Sequence, residues 1–310
     1  MNEHKFPDEF ESPTQTPQTP EDRVRWQEMN RSWWENNPMR YDQEVGVDRI
    51  PAPYGSPEYF SQNDAMFFSE AWHFLPWKKL PFETLMPFDE LANMDVLEIG
   101  TGLGSHAMLL ARHAKSFTGI DLTNQAIEAT SSRIKQSGIT TAKAIRMDAE
   151  RMDFPDQSFD FIWTWGVIHH SSDTRQIISE MERVLRPGGR TVVMVYHRSW
   201  WMYYFKMFLI EGLIRGKLKK LGSIHRIAQE NIDGSFARYY TKSDWRELVE
   251  GKLIVDKIEI TGMKQEVVFL PGRSLKKWGK KYIPDAFTRF LSNTCQMGGF
   301  LVAHMHKKSA

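Results

Sequence analysis

Gly100-Thr101-Gly102-Leu103-Gly104 directly follows the apolar run Val96–Ile99. A loop that must turn sharply and let a ligand approach its main chain needs residues without a Cβ, and three glycines in five positions supply them. Dinucleotide-binding loops also use glycines, but there the third lies three residues after the second. Here it lies two after, and Ser105 holds the later place. Carboxylates accompany the loop: Glu98 within the end of its strand, Asp121 at the end of the next apolar run, and Asp148, beside Ala149, at the end of the third. Imidazoles stand further on. His169 and His170 follow the fourth run and His197 the fifth. Histidine titrates near neutrality and suits a general base. Capping a helix or bonding the backbone accounts for His169 and His170 as well, and a buried structural role for His197 is an equal alternative.

These residues need elements to position them. Val96–Ile99, Phe117–Ile120, Ala144–Met147, Phe159–Thr164 and Thr191–Tyr196 read as short buried strands. Helical stretches separate them: Ser105–Ala114, one capped by Thr123 and running to about Gln136, and Asp173–Leu185, stopped by Pro187-Gly188-Gly189. Single helices between strands imply a parallel sheet with right-handed crossovers, whose ligands sit beyond the carboxyl ends of the strands. Thr241-Lys242-Ser243-Asp244 resembles a capping box, Leu253–Ile260 alternates as a strand, and Gly299–His306 reads as a closing strand. The expected organisation is a disordered tail over 1–21, rich in Pro and Thr; a helical, aromatic-rich cap over 22–90; a cofactor-binding core over 91–197; a lid insert over 198–237; and a completing segment over 238–310.

The ordered set resembles the class I S-adenosylmethionine-dependent methyltransferases over roughly 95–197. The stretches Phe159-Asp160-Phe161-Ile162, Gly166-Val167-Ile168-His169-His170 and Arg183-Val184-Leu185-Arg186-Pro187-Gly188-Gly189 are similar to the small-molecule branch that includes the ubiquinone and menaquinone methyltransferases. The resemblance implies an α/β, Rossmann-like, mostly parallel seven-stranded sheet with helices on both faces. It also implies S-adenosyl-L-methionine as cofactor. Glu98, Gly100, Thr101, Gly102 and Gly104 would pass under its methionine part. Asp121, followed by Leu122, would accept the ribose hydroxyls. Asp148 and the amide of Ala149 would meet the adenine, with Trp165 and His170 flanking. Methyl transfer from a sulfonium is a direct displacement that needs positioning and a base only when the nucleophile carries a proton. No metal is expected. In the cap, Tyr41 could close over the sulfonium. Among substrate candidates, Arg238 suits a carboxylate or phosphate, with a surface ion pair as the equal alternative, and Tyr239 or Tyr240 could face the pocket.

Several classes are disfavoured. Trp165-Gly166-Val167 stands where adenine- and glutamine-directed enzymes carry an Asn-Pro-Pro-aromatic signature, and Cys295 is the single cysteine, so the paired cysteines of nucleic-acid C5-methyltransferases are missing. A net charge of +1 over 310 residues gives no reason to expect a nucleic-acid partner. The amino terminus has no signal-like apolar core and no stretch is long enough to span a bilayer, which points to the cytoplasm. The insert begins Trp200-Trp201-Met202-Tyr203-Tyr204-Phe205 and leads into Arg215, Lys217, Lys219 and Lys220. That pattern suits a lid; it also suits a peripheral membrane contact through 200–220. The expected acceptor is a small, amphiphilic molecule. Two other functions stay open: an aminopropyltransferase-like enzyme, which would need an aspartate after the fourth strand, and a non-catalytic cofactor-binding, membrane-associated protein.

Overall fold

The computed structural model describes residues 5–39, 50–268, 270 and 273–309. Seven strands form one sheet: β1 Asp95–Ile99, β2 Ser116–Asp121, β3 Ala142–Arg146, β4 Phe159–Trp165, β5 Leu185–Tyr196, β6 Ile254–Thr261 and β7 Phe300–His306. Their order is β3-β2-β1-β4-β5-β7-β6, with β7 antiparallel to both neighbours and the first five strands parallel. Side chains alternate between faces along each strand. Val96, Phe117, Phe161, Trp163 and Val192 build the core on one face, and Leu97, Ile99, Ile162, Val193 and Val195 that on the other. Burial on both faces is why these runs are apolar throughout.

Helices α1 (Pro20–Asn36) and α2 (Pro57–Phe74) precede the sheet, and α3 (Ser105–Ala111), α4 (Asn124–Ser137) and α5 (Thr174–Val184) link its parallel strands. Phe67, Ala71 and Phe74 of α2 join the same core as Phe117 and Trp163. Asp64 of α2 is held by the Arg133 guanidinium of α4 and by Ser105 Oγ at 2.6 Å, so α2 is fastened beside the glycine loop. The insert contains a wide helix, Trp200–Ile214, then α6 (Lys217–Leu221) and α7 (Ile224–Glu230). Thr241 and Asp244 form the expected capping box at the start of α8 (Lys242–Val249).

Three expectations change. The third strand begins at Ala142 instead of Ala144. The helix stops at Val184, and β5 starts at once, running through Pro187-Gly188-Gly189 with a register shift against β4. The tail is not disordered over 5–19. Phe6 and Phe10 are buried with Trp26 and Phe236, Phe10 meeting the latter two edge-on at 5.3 and 5.5 Å. Burying a phenylalanine is worth roughly 1.5–3 kcal/mol, which offsets the ordering of a polar strap that composition alone marks as unfolded.

Candidate active site

Strand register brings the loop and its acids together. Ile99 pairs with Ile120 and Ile120 with Ile145, so Gly100, Asp121 and Arg146 leave the sheet side by side at its carboxyl edge. Chain order reverses between β1 and β4, opening a crevice above that edge. Gly100 has φ +81°, and a Cβ there would stand 2.3 Å from Val167 Cγ2, so no other residue fits. Asp121 is tied in place: Oδ1 accepts from Thr123 N and Oγ1 at 2.9 and 2.8 Å, and Oδ2 from Gly102 N at 3.2 Å. Burial raises its carboxyl above the ordinary value despite these bonds. Asp148 Oδ1 accepts from Glu150 N and from Gln27 Nε2 of α1, both at 2.9 Å.

A cavity of about 490 Å³ runs from this edge to the insert. Gly100, Thr101, Gly102, Asp121, Leu122, Asp148, Ala149, Trp165 and His170 all line it. Two expected cofactor residues do not. Glu98 is buried beneath the loop, its carboxyl held well above the usual range by burial and by Asp121, with one oxygen 4.0 Å from His106 Nδ1. Gly104 opens α3 against Thr130 and Arg133. Trp165 stacks on the buried Trp163 at 5.4 Å, so its place in the wall is set by core packing.

The histidines separate. His169 is fully buried between His170 and Tyr196, with ring centroids 4.2 Å from each, and does not reach the cavity. His170 and His197 line it. Their Nδ1 atoms donate to Phe236 O at 2.7 Å and Gly298 O at 2.9 Å, which leaves Nε2 as the acceptor in each. Burial holds both below the ordinary value, His170 at about 4, so both are neutral at neutral pH. Tyr41 lies outside the described residues.

Arg238 overturns both readings made for it. It is neither a substrate clamp nor a surface ion pair: it is 1% exposed and absent from the cavity wall. Its guanidinium donates to Gln15 O, Ser171 O and Ser172 O at 2.7, 2.5 and 2.6 Å, among the rings of Phe10, Trp26 and Phe236. The packed tail creates this site, so a sequence reading that treats the tail as free misplaces the arginine. Tyr239 lines the cavity, with burial raising its phenol, whereas Tyr240 is packed on Trp245 in the core.

Glu266 and Lys206 had no signal in the sequence, yet both line the far end of the cavity. Glu266 Oε2 accepts from Met263 N at 2.9 Å. A Cβ on Gly262 or Gly299 would come within 2.8 or 3.1 Å of the same oxygen, so two glycines make room for this carboxylate. Burial pushes its carboxyl up to about 7. Among the described residues no cluster of three or more His, Cys, Asp or Glu side chains is arranged to hold a metal ion.

Residues 97–193 match the family described as a methyltransferase domain. An uncharacterized methyltransferase of Bacillus subtilis (strain 168) is 33% identical over 102 residues, 33% of this chain and 40% of that protein. A phosphatidylethanolamine N-methyltransferase of Cereibacter sphaeroides is 33% identical over 100 residues, 32% of this chain and 49% of that protein. A demethylmenaquinone methyltransferase of Tropheryma whipplei (strain Twist) is 29% identical over 161 residues, 51% of this chain and 65% of that protein. The chain thus spans 40% to 65% of the lengths of these relatives. The stretch that matches a methyltransferase domain, 97–193, lies on the parallel part of the seven-stranded sheet.

Proposed function

From that domain assignment we propose that the protein transfers a methyl group from S-adenosylmethionine to a small amphiphilic acceptor. The observation that carries this is a single cavity with strand-end carboxylates, Asp121 and Asp148, at one end and an aromatic, apolar wall with Glu266 and Lys206 at the other. The cofactor fits the residues present: Thr101 Oγ1 and His106 Nε2 are buried beside the loop without a hydrogen-bond partner, and both residues line the cavity. Burial keeps His106 neutral, at about 3. When bound, S-adenosylmethionine supplies a methyl group on a positively charged sulfur.

The chain does the rest by position. Asp121 holds the ribose hydroxyls, and Asp148, Ala149 and Leu122 meet the adenine. Trp34, Tyr203, Tyr239 and Met207 form the wall that orients the acceptor and excludes water. Glu266 receives the acceptor's proton, with the neutral His197 as a second acceptor nearby on the same wall. The amphiphilic class is supported by that wall and by two relatives named for phosphatidylethanolamine and demethylmenaquinone. Incubation with methyl-labelled cofactor and a lipid-containing metabolite extract, read by mass spectrometry, should yield a labelled product of this class. Labelling confined to water-soluble products would refute the acceptor assignment.

A base that must be ionised gives a rate that rises with pH through the value near 7 and then levels. Glu266→Gln should remove that rise and lower kcat about tenfold at pH 8, less than the roughly 10²–10⁴ of a sole base, since His197 remains. An unchanged pH profile would exclude Glu266 as the base. Stability runs the other way. Because the folded carboxyl titrates near 7 and the free one at 4.5, its protonated form favours the fold, and that contribution is lost as pH rises from 4.5 through 7. Melting curves of the Gln variant should therefore fall less between pH 6 and pH 8, windows set by that value.

A further inference from the structure

The helix Trp200–Ile214 has a second face that the cavity does not use. It is wound as a π-helix, with bonds such as Arg215 N to Ile210 O at 3.0 Å, so equivalent positions recur every four to five residues. Tyr203, Met207 and Gly212 lie on the buried side, and Tyr203 and Met207 reach the cavity. Trp200, Tyr204, Phe208 and Leu213 recur at the same spacing on the opposite side and are 42–52% exposed, and Ile214 is 73% exposed.

This face continues into a segment far along the chain. Trp200 Nε1 donates to Cys295 O at 3.0 Å, which docks the helix against the end of the short helix Phe290–Thr294. Phe290 is exposed there, Phe287 is exposed on the adjoining short helix Asp285–Arg289, and Trp278 and Tyr282 are exposed on the earlier helix Arg273–Tyr282, with rings 5.8 Å apart. Charge is equally one-sided. Residues 200–222 and 273–284 together contain ten lysines and arginines and one acid, Glu211. That acid is buried and paired with Arg215 and Lys217, whereas Lys219, Lys220 and Lys281 are exposed. The whole chain has a net charge of only +1, so these two stretches are more basic than the rest of it.

We propose that this composite face seats on an anionic phospholipid bilayer. Tryptophan and tyrosine favour the bilayer–water boundary, and flanking cations meet anionic headgroups. Among the described residues no helix is long and apolar enough to cross a membrane, so the contact lies in the surface plane. Its purpose rests on the proposed acceptor class: the inner side of the same helix walls the acceptor end, and a helix is only about 10 Å across. An amphiphile leaving the bilayer then enters the cavity without crossing open water.

The test is sedimentation of the full chain with vesicles of phosphatidylcholine alone, or of phosphatidylcholine and phosphatidylglycerol in equal amounts. Binding to the mixed vesicles is expected, weaker on the neutral ones and falling with salt. Lys219→Glu/Lys220→Glu should lower the partition coefficient at least about tenfold, and Trp200→Ser/Phe208→Ser should lower it as well. None of these four residues lines the cavity, so calorimetric binding of S-adenosylmethionine by every variant shows that the fold is intact and separates this proposal from the proposed reaction. Absent binding to the mixed vesicles, or binding untouched by both double substitutions, overturns the proposal. So does a dimer that the same substitutions dissociate in a chain that ignores vesicles, since a second copy would then cover the face.

Discussion

Asp121→Ala should weaken S-adenosylmethionine binding by about 10²–10⁴, with the protein still folded. The wild-type carboxylate is pre-set for two acceptor bonds: Thr123 grips one oxygen through its amide and hydroxyl, and the Gly102 amide meets the other. Hydrogen bonds to a charged group are worth about 1.5–3 kcal/mol each, and each 1.4 kcal/mol is tenfold in affinity. The loss has a second source, because the glycine loop is anchored through Gly102 to the same carboxylate. Asp121→Asn, which keeps an acceptor oxygen, should fall between the two. Calorimetry measures all three. Affinity within a few-fold of wild type in the alanine variant would refute the placement of the ribose on Asp121. A circular-dichroism melt distinguishes lost contacts from lost structure.

Arg238→Ala should lower the free energy of unfolding by about 3–5 kcal/mol, the range seen when one partner of a buried ionic contact is removed. Three carbonyls, of Gln15, Ser171 and Ser172, lose a charged donor at once, and Phe10, Trp26 and Phe236 are left around an empty space. Both effects act on the strap over 5–19 and on the turn after His170, so the tail should become sensitive to proteolysis. Arg238→Lys retains the charge but cannot reach three divergent carbonyls with one ammonium, and it should recover only part of the stability. Denaturant titration supplies the values, and limited proteolysis reports the tail. If the alanine variant kept its stability and instead raised KM, the arginine would be a substrate group after all.

Glu266 shows why half of the site was hidden. It lies in 262–296, a stretch between β6 and β7 longer than a hairpin needs, and nothing adjacent marks it as chemical. Only folding brings it to Lys206 and Tyr239, and only the glycines at 262 and 299 leave space for its carboxylate. The insert illustrates a different difficulty. Read at the ordinary helical spacing, Trp200–Ile214 is apolar on nearly every side; its inner and outer faces separate only at the longer π-helical repeat, which local sequence does not announce. The phenylalanines at 6 and 10 were visible, but Pro and Thr around them outweighed two aromatic side chains whose partners, Trp26 and Phe236, stand up to 230 residues away.

What the sequence determined by itself was the cavity's end at the carboxyl edge of the sheet: strand, glycine loop, Asp121 and Asp148. Those features are local, because a tight turn demands glycine where the main chain has φ of +81° and a parallel strand buried on both faces must be apolar, whatever surrounds them. Tertiary structure alone decided the far end of the cavity. There the wall is assembled from α1, the insert, Tyr239 and Glu266, contributed by segments far apart in the chain. Their roles depend on which groups burial brings within a few ångströms, and no spacing along the chain records that distance.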